Sequence, residues 1–197
     1  SEQSLNPLPF QQTDMPFLVR TSDRKFLREA DLVEGGKADG FYFWDEATDS
    51  LQAAPGTGYI SKFAPPQPDK EKEFLVLGDL QPAVEGVWIV ETQAGPVEVT
   101  TVFAFLRKEL ENYTPEKVAV ITGVSAGVVR YVGRAFATRG PGMIFSGYRA
   151  NKWLHGDLTL RAWLLMSALT GNTGREGGGV QTTQLAKSDG TFKYVFA

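Results

Sequence analysis

The chain has 197 residues and a formal net charge of −3 at pH 7, with 42% hydrophobic and 22% charged residues. This composition is typical of one globular domain with a buried core, and the charge gives no general reason to expect binding to nucleic acid or to an anionic membrane. The chain has no cysteine and one histidine, which excludes thiol catalysis, disulfides, thiolate metal sites and multi-histidine metal sites from it.

No apolar stretch reaches the length of a membrane-spanning helix, and no signal peptide is visible at the start of the sequence. We therefore expect no direct membrane insertion and a soluble protein of the cytoplasm or the periplasm. The sequence around Ser1 and Ala197 lacks the features expected at the natural ends of a protein, which suggests a piece of a longer protein.

Residues 1–85 are predicted to be irregular and proline-rich. Short apolar pieces at 17–19, 41–44 and 74–77 lie between prolines and glycine-rich turns, and this pattern predicts extended segments that cover something larger. Residues 86–197 are predicted to form a helix-rich α/β portion.

A β-hairpin is predicted at the start of this second portion. Segments 87–90 and 97–100 have the pattern of strands, and residues 92–96 between them form a polar turn that contains Gly95 and Pro96.

Three helix starts are predicted from capping residues. Thr101 precedes a run whose apolar residues share one face, Thr114 precedes a proline and an acid, and Ser125 opens a helix after Gly123 ends the previous one. The helix after Ser125 is expected to bury an apolar stripe formed by Val128, Val129, Val132 and Phe136.

The last part of the chain is predicted to run strand, polar loop, helix and glycine-rich loop. Residues 143–145 are expected to form a short buried strand, Asp157 the N-cap of the next helix, and residues 158–169 a helix of the buried core. This order indicates an α/β class, or an α+β fragment, with a hairpin, an irregular N-terminal cover and helices around that strand. The strands are too few for a complete parallel sheet, which again indicates a piece of a larger domain.

The polar loop 147–157 holds the side chains best suited to chemistry. It carries His155, the cations Arg149 and Lys152, and Trp153. Ligands bind at the carboxyl ends of strands in α/β sheets, and the N-terminus of the following helix favours an anion. Two ordinary alternatives stay open: His155 as a structural residue at a helix start, and Lys152 as a surface cation near it.

The glycine-rich loop 171–179 fits neither of the common phosphate-binding motifs. It lacks the lysine and hydroxyl residue of a Walker loop, and it follows a helix rather than a strand. One interpretation is a helix C-cap with a flexible exit. The other is that three consecutive glycines let backbone amides approach a bulky planar or phosphate-bearing ligand.

Several groups of residues resemble one protein family when they are taken in chain order. The helical region contributes Tyr113-Thr114-Pro115-Glu116, Ile121-Thr122-Gly123-Val124-Ser125, Val129-Arg130 and Ala135-Phe136-Ala137, and the two loops contribute Asn151-Lys152-Trp153-Leu154-His155-Gly156-Asp157, Leu169-Thr170-Gly171-Asn172 and Gly177-Gly178-Gly179. Over about residues 80–181 this order closely resembles the molybdopterin oxidoreductases of the dimethyl sulfoxide reductase superfamily. The segment 13–20 also looks like the one that opens this region in the branch of nitrate, selenate, chlorate and perchlorate reductases, dimethyl sulfide dehydrogenase and ethylbenzene dehydrogenase.

The resemblance implies an internal portion of a catalytic subunit, within a larger α/β cofactor-binding domain. The implied cofactor is molybdenum or tungsten bis(molybdopterin guanine dinucleotide), which serves oxygen-atom transfer or hydroxylation in anaerobic respiration. The implied partners are the remainder of the catalytic subunit, an iron–sulfur electron-transfer subunit and a small-molecule substrate. Because the family's metal ligand, cluster cysteines and carboxy-terminal cofactor-binding portion are missing, we expect this chain alone to bind no such cofactor and to be inactive.

The resemblance also assigns roles to residues of the two loops. Lys152 and His155 are the catalytic candidates, and Lys152 is expected to line the substrate pocket, where a cation stabilises an anionic substrate or charge that develops on an oxygen. The residues expected to contact the cofactor are Gly147, Asn151, Gly171, Asn172, Gly174, Gly177, Gly178 and Gly179. No residue of this chain is expected to bind the metal. The alternative function is a non-catalytic module that keeps the fold for assembly or ligand binding.

Overall fold

The computed structural model describes residues 13–38, 40–54, 77–147, 152–173 and 175–182. Contacts within the chain divide it into two compact units, Thr13–Lys117 and a second unit that begins at Val118. The helices and strands confirm the mixed α/β class expected from the sequence. The division into the portions 1–85 and 86–197 rests on composition and stays a prediction.

The described residues of the first unit form two antiparallel sheets and two helices. Its elements are β1 (Leu18–Arg20), α1 (Glu29–Leu32), β2 (Tyr42–Asp45), β3 (Ser50–Ala53), β4 (Val87–Thr92), β5 (Gly95–Thr101) and α2 (Val102–Leu110), with a 3₁₀ turn over Glu111–Tyr113. One sheet has the order β1-β5-β4, and β2 and β3 form a two-stranded sheet. The apolar pieces at 17–19 and 41–44 thus contain β1 and β2, whereas the piece at 74–77 lies outside the described residues except for Leu77.

The predicted hairpin is confirmed as β4 and β5, with a tighter turn than the sequence suggested. Thr92 pairs with Gly95, so only two residues connect the strands. Gly95 has a φ of 107°, a backbone conformation that side chains resist. This conformation lets the strands continue up to the turn itself.

The core of the first unit lies between the three-stranded sheet and the segments folded over it. Four buried residues form its centre: Leu18, Leu27, Val90 and Val99. At one edge the rings of Phe17 and Phe41 stack with centroids 5.0 Å apart, and the guanidinium of Arg28 lies 3.9 Å above the Phe41 ring. These contacts are long-range in sequence, which explains why short apolar pieces can wrap over the sheet without long elements of their own.

The three predicted helix starts are confirmed. The hydroxyl of Thr101 accepts a hydrogen bond from the backbone N–H of Ala104, and the hydroxyl of Ser125 accepts one from Val128. Thr114 does the same for Lys117. Each hydroxyl satisfies an N–H of the first helical turn that has no partner within the helix.

The second unit contains a strand–helix–strand arrangement preceded by helices. Its elements are α3 (Pro115–Thr122), which crosses the boundary between the units, α4 (Ala126–Thr138), β6 (Met143–Ser146), α5 (Gly156–Leu169) and β7 (Gly179–Thr182). β6 and β7 pair in parallel, with Met143 opposite Gly179 and Ser146 opposite Thr182. The predicted strand is thereby confirmed, and α5 is the crossover helix of a β6–α5–β7 unit.

The burial expected for the second unit is wrong for this chain. Val128 and Val132 of the α4 stripe are 50% and 55% exposed, and Phe145 of β6 is 55% exposed. α5, expected in the core, buries only Gly156 and Ser167. An apolar pattern shows which faces favour burial, but the described residues include too few neighbouring elements to cover these faces.

Among the described residues no single helix is long and apolar enough to span a membrane. α3 and α4 meet the length and composition of a span only as a pair, and that pair is bent by 116° at the break between the helices.

Candidate functional site

The two loops in which the resemblance places site residues lie at opposite ends of the β6–α5–β7 unit. Since β6 and β7 run in parallel, Met143 and Gly179 mark one end of the pair and Ser146 and Thr182 the other. The loop from Gly147 to the start of α5 therefore leaves the carboxyl end of β6, whereas the glycine-rich loop enters β7 at its amino end. α5, with 14 residues and a length of about 20 Å, separates them.

The carboxyl end of β6 carries three of the predicted site residues. Gly147 is exposed, and a Cβ at this position would meet no atom of the described residues within 4 Å. Lys152 and His155 are both exposed in the loop before α5. Asn151 lies outside the described residues. This is the end of an α/β strand pair at which ligands ordinarily bind.

His155 is the N-cap of α5, a position that the sequence analysis assigned to Asp157. Its φ of 61° places it in the left-handed region, and its side chain makes no capping hydrogen bond. Its carbonyl oxygen accepts hydrogen bonds from Leu158 and Thr159, so the helix begins earlier than predicted and Asp157 lies in the first turn. The acid there still interacts favourably with the helix dipole.

Asn172 closes the other end of the unit. Its side chain is buried, its Oδ1 accepts a hydrogen bond from the N–H of Gly142 at 2.8 Å, and its Nδ2 donates to the carbonyl of Phe136 and to the hydroxyl of Thr170. The carboxamide thus joins the end of α4, the segment before β6 and the exit of α5. These bonds occupy the side chain predicted to contact a cofactor.

Backbone conformation and close packing within the chain account for the glycines described in this loop. Gly171 follows the C-terminus of α5 with a φ of 66°, which supports the helix C-cap interpretation, and Gly177 and Gly179 have φ of 74° and 99°. A Cβ on Gly178 would overlap the backbone carbonyl of Asn172. Gly174 lies outside the described residues. The cofactor contacts assigned to these glycines stay a prediction.

The sequence did not predict the polar contacts that stabilise the Asn172 end of the β6–α5–β7 unit. Ser167 is buried in α5 and its hydroxyl lies 3.2 Å from that of Thr173, while the N–H of Asn172 donates to the Ser167 carbonyl. The available signal was a polar residue, Ser167, within an otherwise apolar helix, followed by Thr170, Asn172 and Thr173.

Two further features bear on the chemistry. No group of three or more histidine, aspartate or glutamate side chains among the described residues could hold a metal ion. A surface cavity of about 710 Å³ occurs in the first unit, and none of the predicted site residues lines it. Its lining includes Met15, Val19, Arg24, Phe26, Phe105 and Leu106.

Comparison with known proteins identifies the family. No protein-family model matches the chain. The chain is 38% identical over 86% of its length to the perchlorate reductase α subunit of Dechloromonas aromatica, of which it covers 20%. It is 40% identical over 85% of its length to the dimethylsulfide dehydrogenase α subunit of Rhodovulum sulfidophilum, and 34% identical over 86% to the respiratory nitrate reductase α subunit of Haloferax mediterranei, covering 17% of each.

These relatives belong to the branch that the sequence motifs resemble, and the resemblance is confirmed. The chain spans about a fifth of the length of the curated relatives it matches, so it corresponds to a portion of such a subunit. The chain belongs to the molybdopterin oxidoreductases of the dimethyl sulfoxide reductase superfamily.

Proposed function

We propose that the chain is an internal portion of the catalytic subunit of a molybdenum or tungsten bis(molybdopterin guanine dinucleotide) oxidoreductase. The observation that carries this proposal is the identity of 34–40% to α subunits of reductases and a dehydrogenase over about 85% of the chain. The complete enzyme would transfer an oxygen atom or hydroxylate its substrate, and this portion would contribute cofactor and substrate-pocket contacts. A non-catalytic module is not favoured, because these relatives are named as subunits of redox enzymes.

The carboxyl end of β6 is the part of the described chain that best fits a cofactor or substrate. Gly147 leaves its backbone accessible, Lys152 supplies a positive charge, and the positive end of the dipole of the 14-residue helix α5 lies beside them. A molybdopterin cofactor, when bound, supplies the redox chemistry of oxygen-atom transfer. The residues of this chain bind and orient groups around it.

The glycine-rich loop fits a cofactor less well than its sequence suggests. The carboxamide of Asn172 is engaged by three partners within the chain, and the space beside Gly178 is filled by the Asn172 carbonyl. Among the described glycines of this loop Gly177 is the exposed one, and its added Cβ would lie 3.8 Å from the Pro141 ring, so its backbone can be approached from outside. A cofactor contact in this loop would therefore run through backbone groups near Gly177.

Lys152 is the residue to which we assign a role in the substrate pocket. Three relatives are named for perchlorate, nitrate and chlorate, which are anions, and one is named for the neutral dimethylsulfide. A lysine suits the anionic group, because it attracts the substrate and stabilises negative charge that develops on an oxygen. The remainder of the catalytic subunit, a small-molecule substrate and an iron–sulfur subunit are the partners proposed with this function.

The test is Lys152→Met in the complete enzyme, with Lys117→Met, at an exposed lysine of α3, as the matched control. We expect Lys152→Met to lower kcat/KM by roughly ten- to a thousandfold while the metal content stays normal, because methionine keeps most of the apolar stem. Lys117→Met should leave kcat/KM unchanged. An unchanged kcat/KM for Lys152→Met, measured in enzyme with the same metal content as the parent, would show that Lys152 is a surface cation. A complete enzyme that contains neither molybdenum nor tungsten would refute the proposed function itself.

A further inference from the structure

One side of α4 presents a continuous row of apolar side chains to solvent. Val124, just before the helix, is 43% exposed, and Val128, Tyr131 and Val132 are 50%, 56% and 55% exposed. Their spacing of three and four residues places them on a single face of the helix. Isolated apolar residues are common on protein surfaces, whereas a contiguous row indicates a face that something covers.

Residues at the border of this row already pack within the chain. A Cβ added to Gly142 would lie 2.8 Å from the Phe136 ring, so Phe136 packs against the segment that enters β6, and Val129 on that side is half-buried. The exposed row continues the apolar face that Phe136 and Val129 begin, since Val132 and Phe136 lie four residues apart. The segment that enters β6 therefore covers only one border of a wide apolar face, and the remainder of that face is exposed.

α3 extends this apolar surface beyond α4. Val120 and Ile121 are 87% and 74% exposed, and the axis bends by 116° between the two helices, where Gly123 has a φ of 74°. We name the residues of both helices the α3–α4 surface: Val120, Ile121, Val124, Val128, Tyr131 and Val132.

We propose that the α3–α4 surface is an interface, covered in the complete protein by a polypeptide segment of the same subunit that lies outside this chain. The argument for this occupant is length: the chain covers only 17–20% of the relatives it matches, so about four-fifths of such a subunit is missing from it. This inference rests on the placement of the chain in a larger catalytic subunit.

The charges of α4 indicate the chemistry of the covering segment. α4 contains no acidic residue, Arg134 lies three residues after Tyr131 at the border of the surface, and Arg139, just after the helix, donates a hydrogen bond to the Tyr131 hydroxyl. The segment that fits is therefore apolar at its centre, with acidic side chains at its rim that face these cations.

A lipid bilayer fits this surface less well than protein does. α3 has 8 residues and α4 has 13, so the helices are about 12 and 20 Å long, and each is shorter than the ~30 Å hydrocarbon core. The 116° bend prevents them from adding their lengths, and the two arginines of α4 would be costly in hydrocarbon.

The absence of cysteine in this chain permits a direct test by thiol labelling. V128C and V132C place a thiol on the α3–α4 surface, and A137C places one on the opposite side of α4, where Ala137 is exposed. Each variant is made in the complete subunit, reacted with a maleimide in the native and in the urea-denatured state, and the labelled peptide is quantified by mass spectrometry. The native reactions are repeated over a dilution series and with phospholipid vesicles.

We expect V128C and V132C to react at least about tenfold more slowly in the native subunit than in the denatured one, independently of protein concentration and vesicles. The A137C thiol should be protected less. Native labelling as fast as in urea would overturn the proposal, as would protection that is lost on dilution, which indicates a second copy, or protection that requires vesicles, which indicates a membrane. Because labelling does not depend on activity or metal content, failure of this interface is distinguishable from failure of the proposed function.

Discussion

The Oδ1 atom of Asn172 accepts a hydrogen bond from the backbone N–H of Gly142, thirty residues earlier in the chain, at 2.8 Å. Around this bond the remaining polar atoms of a buried side chain are also satisfied, by Phe136 and Thr170. The start of the glycine-rich loop is therefore held by a buried carboxamide of the same chain. These hydrogen bonds fix the amino end of the β6–α5–β7 unit.

Asn172→Ala should lower the free energy of unfolding of the purified chain by about 2–4 kcal/mol. Three hydrogen bonds are lost, at about 1 kcal/mol each, and buried backbone groups are left without a partner. Urea unfolding followed by circular dichroism measures the difference. The control is Glu176→Ala, an exposed residue of the same loop, which should change stability by no more than about 0.5 kcal/mol. Equal effects of the two variants would contradict the role of Asn172.

Gly178→Ala should destabilise the chain by about 1–3 kcal/mol, because the new methyl group would overlap the Asn172 carbonyl and displace the loop. Gly133→Ala is the matched control. Gly133 lies inside α4 and a Cβ there would meet no atom within 4 Å, so the substitution should raise stability by about 0.5–1 kcal/mol. Thermal unfolding compares both, and a Gly178→Ala variant as stable as the parent would show that the loop has room.

The first unit should lose stability at acidic pH because the carboxylate of Asp45 becomes protonated. Hydrogen bonds from the Thr48 hydroxyl and from the Gln81 N–H hold the pKa of this buried carboxyl below its ordinary value of 3.8. A lowered folded-state pKa means that the stabilisation is complete above pH 3.8 and is lost as the pH falls through the folded value.

Unfolding measured at a series of pH values checks this prediction. Asp45→Asn should be less stable than the parent near neutral pH and should lose less stability on acidification. Glu46→Gln, the adjacent exposed acid, should retain the parent's steep acid dependence. Identical acid profiles for the parent and Asp45→Asn would contradict the assignment.

The stability of His155 variants should depend on how well each new residue tolerates the left-handed backbone conformation. The left-handed region costs most non-glycine residues about 1–2 kcal/mol, and a β-branched residue more. We therefore expect His155→Gly to retain or raise stability, His155→Asn to change it little and His155→Val to lower it by at least about 1 kcal/mol. Thermal unfolding gives the ranking. If the glycine variant is the least stable of the three, the imidazole rather than the backbone holds the start of α5.

Activity separates a chemical role of His155 from this structural one. In the complete enzyme His155→Asn keeps the backbone conformation available, since asparagine tolerates the left-handed region. A loss of kcat/KM in a stable, metal-loaded His155→Asn enzyme would support the catalytic assignment. Full activity would leave His155 as the structural residue of a helix start.

The sequence alone determined the local elements of this protein and its family. Thr101, Thr114 and Ser125 cap helices where their hydroxyls predict it, because capping acts over three residues and needs no distant partner. The hairpin was also predicted from local residues, the polar turn that contains Gly95 and Pro96. The order of motifs identifies the family, since it reflects the whole chain rather than one contact.

Only the tertiary structure decided where the predicted site residues lie relative to one another. The parallel pairing of β6 and β7 brings the glycine-rich loop to the amino end of β6, where Asn172 binds Gly142, and no local pattern encodes that contact. Burial was equally undetermined: the α4 stripe is apolar in sequence yet Val128 is half exposed. Hydrophobic spacing specifies which face of a helix favours burial, but burial itself requires a neighbouring layer, and that layer depends on the polypeptide present to form it.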